Sequence, residues 1–164
     1  YDKAHAKANV VEKKYRQEVK KALLELGAML KESTMSKKVP MDTVPLAICG
    51  PDGVVKETLA TEMADTKPKQ AKGMMGRKDL PEKQAMLFTS TGPFWMKGVN
   101  FDLDLIFLDK SGCVTSFGTM KQGSPSLYYP DPAAKLALEV RAGTCQKLAL
   151  QPGDRVKVAS QPVP

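Results

Sequence analysis

The sequence predicts a mainly β fold of the α+β class. The expected architecture is a compact antiparallel β barrel or sandwich with one or two short helices, preceded by a long amphipathic N-terminal helix. Three observations lead there. Residues 3–32 contain no Pro and only one Gly, and their apolar side chains recur every three or four positions. From Val44 onward the period changes to two and turn signals become frequent. The 164 residues include twelve Pro and twelve Gly, enough for many turns, and 42% hydrophobic residues, enough for one core. A chain of this length buries roughly two thirds of its unfolded surface, so it needs neither disulfide nor metal to fold.

In the first segment Val11, Tyr15, Val19, Ala22, Leu23, Leu26 and Leu30 form one helical stripe. The other side carries Lys13, Lys14, Arg16, Lys20 and Lys21, with Glu12 and Arg16 at the favourable i, i+4 spacing. Residues 1–38 hold ten Lys/Arg and five Asp/Glu, so they supply most of the net charge of +7. The stripe suits either packing on the chain's own domain or docking on a partner. The interspersed acids weaken a nucleic-acid reading. Residues 39–45, with Pro40 and Pro45, read as a linker, and 46–164 as the β domain.

Within that domain "VPLAICGPDGVVKETLATEM" reads as strand, turn and strand, the turn being Gly50-Pro51-Asp52-Gly53. A short helix is expected around Lys69–Met75, with Asp65 or Thr66 as its cap and Gly76 as its end. "QAMLF" and "FWMK" read as short strands, "FDLDLIFLD" as the longest strand, "DKSG" as a hairpin turn and "CVTSF" as its return. Residues 119–133 have no period and read as an exposed loop. "KLALEVRAGT" is a last long strand; a turn of helix, a Pro-Gly turn and a terminal strand follow it.

The composition excludes some chemistry. His5 is the only histidine, which disfavours a His-dependent triad or a His-rich zinc site. No phosphate-binding glycine motif and no apolar run of membrane-spanning length occurs. Neither a cofactor nor a metal site is expected. Cys49, Cys113 and Cys145 are far apart and read as buried or half-buried thiols, one disulfide remaining open in an oxidising compartment. The chain begins at Tyr1, which suggests a processed product whose targeting segment has been removed.

The candidate site is the stretch Phe94–Gly112. In an extended strand Phe101, Leu103, Leu105 and Phe107 share one face, and Asp102, Asp104, Ile106 and Leu108 the other. The first face must be core. The second changes from charged to apolar, which places Asp102 and Asp104 at a wet rim, with Lys97 and Arg77 as candidate partners. Two carboxylates about 7 Å apart also fit an acid/base pair of the glycan-cleaving kind. A ligand-binding rim would combine Trp95, Lys97, Asp102, Asp104 and Tyr128. The purely structural reading has Trp95 and Met96 as core anchors.

The ordered motifs "ATEMADTKPKQAKGMMGRKDLPEKQAMLF", "FWMK", "LDLIFLDKSG", "KLALEVRAGT" and "LQPGDRV" resemble the small β-rich bacterial family catalogued as domain of unknown function 192, over residues 58–158. Ala85 stands where the family usually has Gly, and where it usually has Thr and then Pro ahead of the Leu-Asp the run here is Val99-Asn100-Phe101-Asp102-Leu103-Asp104. Asp104 and Lys97 align with the Asp and Lys of the pattern. The resemblance implies a compact, mostly antiparallel β domain without an established reaction, in a family whose bacterial members are often exported.

The leading functional expectation is a non-catalytic accessory or structural subunit of a larger protein or ribonucleoprotein assembly, docked through its N-terminal helix. The expected compartment is organellar, the mitochondrion ahead of the thylakoid lumen, or exported and periplasmic in a bacterium. The alternatives are a small-ligand or carbohydrate-binding module and a glycan-cleaving enzyme using Asp102 and Asp104.

Overall fold

The computed structural model describes residues 43–160 and 163. The predicted N-terminal helix, with Lys13, Lys14, Arg16, Lys20 and Lys21, lies outside the described residues. The elements are β1 (Thr43–Cys49), β2 (Val55–Ala64), α1 (Lys67–Lys72), β3 (Gln84–Phe88), β4 (Leu103–Leu108), β5 (Val114–Met120), β6 (Leu136–Arg141), α2 (Thr144–Lys147) and β7 (Arg155–Val158). The strands form one sheet in the order β5-β4-β6-β3-β2-β1-β7.

The mainly β fold with two short helices is as predicted, but the closed antiparallel barrel or sandwich is not. The ladder is open: no ladder pairs β5 with β7, and their ends meet through the isolated bridge Cys113–Arg155 and the backbone hydrogen bonds beside it. One pair, β2 with β3, is parallel. Parallel neighbours cannot be joined by a tight hairpin. Residues 65–83 therefore cross over one face of the sheet, carrying α1 with them.

The crossover has local causes. Thr66 caps α1 by accepting a hydrogen bond from the Lys69 N–H, and Pro68 fits the first turn, where no N–H is needed. Gly73 ends the helix at a positive φ of 47°. Hairpin β4–β5 is set by Asp109, whose carboxylate accepts from the Ser111 and Cys113 N–H groups. Gly112 there has φ 89°, a conformation natural to glycine.

The centre of the sheet is covered on both faces. Leu46, Ile48, Leu59, Leu87, Ile106, Leu138, Val140 and Val156 fill one layer, with Cys145 of α2 and Leu150 against them. Met86, Phe88, Leu103, Leu105, Phe107 and Ala137 fill the other, covered by Met74, Leu80, Met96 and Val99. Burial of each large side chain contributes about 1.5–3 kcal/mol. This two-sided cover explains why every residue of β4 is buried.

Several boundaries move. Thr43, Val44 and Pro45 belong to β1, so the predicted linker ends before them. The helix predicted at Lys69–Met75 lies at Lys67–Lys72. "FWMK" is not a strand: only Phe94 pairs, in an isolated bridge with Tyr128. Strand β5 runs to Met120, into the predicted loop.

Candidate functional site

Asp104 is not on a wet rim. It alternates onto the predicted face, but that face is core, and Asp104 is 2% exposed. One carboxylate oxygen accepts from the Thr119 hydroxyl at 2.8 Å. The other accepts from the N–H groups of Gly143 at 3.1 Å and Cys145 at 3.0 Å. Asp104 thus ties β4 to the start of α2, and its lone pairs are committed to structure. Burial, with Asp104 beside it, pushes the Cys145 thiol far up, so the sulfur stays protonated.

Asp102 sits in a different environment, before β4 and partly exposed. It accepts from the Gln122 N–H at 2.7 Å and from Lys121 at 3.3 Å. The Gln122 hydrogen bond, aided by Lys121, holds its carboxyl below the ordinary value against slight desolvation. The predicted partners are placed elsewhere: Arg77 pairs with Glu62. Asp102 and Asp104 therefore do not converge as an acid/base pair. Trp95 and Lys97 line an open cleft with Asn100, Gln122 and Leu127. Tyr128 packs against the second core layer and donates its hydroxyl to Ser124 at 3.1 Å. The predicted rim keeps Trp95 and Lys97 together and loses Asp102, Asp104 and Tyr128. Trp95 is 45% exposed, so it is not the core anchor of the structural reading; Met96, 1% exposed, is.

The other side of Trp95 faces a second hollow, which the sequence reading missed. The crossover and the loop after β3 border a half-open cavity of about 310 Å³ over the second core layer. α1 and the following turn supply Gln70, Ala71, Met74 and Met75; the loop supplies Ser90, Thr91, Phe94 and Trp95. The walls are pinned together. Gln70 donates to the Ala64 carbonyl at 3.0 Å and accepts from the Ser90 hydroxyl at 2.9 Å. The Gly76 N–H donates to the Gly98 carbonyl at 3.1 Å. Phe94 stands edge-on to Phe88, their ring centroids 5.0 Å apart.

Glu139 of β6 also lines this cavity. Its cross-strand neighbours are Met86 and Leu105, and it is 5% exposed. Its Oε2 is buried without a hydrogen-bond partner among the described residues. Burial pushes its carboxyl from an ordinary 4.5 up to about 8, against the opposing pull of Arg77. At neutral pH the group is a neutral acid in a cavity of rings and thioethers. The signal in the sequence was a lone acid between Leu138 and Val140 of an apolar strand.

Cys49, Cys113 and Cys145 are all free thiols. Among the described residues no cluster of His, Cys, Asp and Glu has metal-binding geometry, and no helix is long and apolar enough to cross a membrane.

These features define a class: a β-sheet domain roofed by a parallel crossover, with an acid-floored apolar cavity beneath the roof. Residues 50–158, well over half the chain, match the family model of domain of unknown function 192, described as an uncharacterized ACR. The chain belongs to that family. A crystal structure from Sinorhizobium meliloti 1021, called by name a candidate transcription regulator, is similar with a TM-score of 0.67 and 25% identity. The match covers 76% of this chain and 100% of that one. A protein of unknown function from Novosphingobium aromaticivorans DSM 12444 is similar with a TM-score of 0.66 and 25% identity, over 78% and 96% of the two chains. No curated protein matches the chain significantly.

Proposed function

We propose that this domain is a binding module for a small, mainly apolar molecule held in the cavity over Glu139. One observation carries the reading: Glu139 lines the cavity, and its Oε2 is buried with no hydrogen-bond partner among the described residues. Leaving a carboxyl without a hydrogen bond in apolar surroundings costs stability. A ligand that completes this bond gives the arrangement a use. The size agrees, since an apolar cavity of about 150 Å³ accepts benzene, and this one is about 310 Å³.

The test is a fragment screen read by the fluorescence of Trp95, the chain's only tryptophan and part of the cavity wall. Hits should raise the melting temperature of the native protein and lose affinity in Thr91→Phe, which fills part of the cavity without adding a second tryptophan. Hits that bind Thr91→Phe equally well would overturn the reading.

A second reading is supported by the ten Lys/Arg and the apolar stripe of residues 1–38. The domain then serves as an accessory subunit of an organellar assembly, mitochondrial first and thylakoid-lumenal second, docked through that segment. Deleting residues 1–38 should leave a folded domain that no longer co-purifies with its partners. Undiminished association would remove this reading.

A further inference from the structure

The charges around Glu139 constrain what the cavity holds. The described groups that bear on the site are Lys67 and Lys72 on α1, Arg77 in the crossover and Glu62 on β2, which Arg77 neutralises. Lys135 directly precedes β6 and Arg141 ends it. The facing residues of β3 and β4, Met86 and Leu105, carry no charge. The surplus on the approach is positive, which disfavours an ammonium ligand. The innermost wall offers an anion no cation, only the Glu139 carboxyl, which repels it once ionised. A neutral acceptor meets neither penalty.

We propose, building on the cavity reading above, that the site selects an uncharged, largely apolar molecule of roughly ten heavy atoms whose single carbonyl-type oxygen accepts a hydrogen bond from the Glu139 carboxyl. A transition at about 8 keeps that carboxyl in its donor form at neutral pH. The rings of Phe88, Phe94 and Trp95 and the thioethers of Met74 and Met75 surround the rest of the ligand. Ionisation of Glu139 removes the donor and sets a negative charge against the ligand oxygen.

Four probes of one size separate the possibilities: benzylacetone, n-butylbenzene, 4-phenylbutylamine and 4-phenylbutyrate. Titrations of the full chain, read by Trp95 fluorescence and by melting temperature, are expected to place benzylacetone at least about tenfold ahead of the other three at pH 7. Apparent affinity follows the protonated fraction, so benzylacetone should weaken about thirtyfold between pH 6 and 9.5. Glu139→Gln, whose amide N–H still donates, should keep benzylacetone binding and lose that pH dependence. Tightest binding of the amine or the carboxylate, equal binding of n-butylbenzene, or the same pH dependence in Glu139→Gln would each overturn the ligand class while leaving the cavity reading intact. No response to any of the four would overturn both.

Discussion

Replacing Glu139 by Gln should stabilise the protein, by an amount that grows with pH. The folded state holds the carboxyl proton up to about 8, while the ordinary value is 4.5. Between these values the unfolded chain binds fewer protons than the folded one. Stability therefore falls as pH rises through that window and levels off above it. Each unit of displacement corresponds to about 1.36 kcal/mol. At pH 7 the span from the ordinary value implies a cost of about 3 kcal/mol, a large part of the ~5–15 kcal/mol that holds a domain together. Gln keeps the shape and cannot ionise. Urea unfolding followed by circular dichroism from pH 4.5 to 9 should show the two proteins nearly equal at the acid end. Glu139→Gln should be ahead by about 3 kcal/mol at pH 7. Carboxyls held low by their hydrogen bonds, such as Asp102, Asp109 and Asp131, are common to both proteins and cancel in the difference. A difference that stays flat across pH would refute the reasoning, because Glu139 would then be ionised and paired in the folded state.

Other substitutions separate scaffold from site. Asp104→Ala orphans the N–H groups of Gly143 and Cys145 and the Thr119 hydroxyl, and should cost about 3–5 kcal/mol in urea unfolding. Gly112→Ala would set a Cβ 2.3 Å from the Val156 carbonyl oxygen at a φ of 89°, and should lose well over about 1 kcal/mol in the same assay. In the native protein a water-soluble disulfide reagent should modify Cys113, which is half-buried, before the buried Cys49 and Cys145. Equal rates for all three, followed by peptide mass mapping, would contradict that order.

The strands were legible because their signals are local. Alternation in Leu103–Leu108 predicts which residues share a face, and the structure keeps those faces. The "DKSG" turn is equally local, since Asp109 bonds within four residues of itself. What alternation cannot tell is what lies on either side. Asp104 looked like a residue at the water's edge because its backbone donors come from residues 143 and 145, far along the chain. The cover over Glu139 has no local sign, since the segments that bury it are the crossover and the loop after β3. The family resemblance was legible from the motif order, and the family match begins a little earlier, at residue 50. The parallel pairing of β2 and β3 left no local mark at all.

That pairing has an evolutionary corollary. Because two neighbouring strands run the same way, the chain must arch from one end of the sheet back to the other, and the arch is also the lid of the hollow. Lengthening, trimming or recolouring this single span can change the shape and lining of the hollow while the seven-strand register stays as it is. A lineage built on such a plan can remodel its hollow without renegotiating its frame.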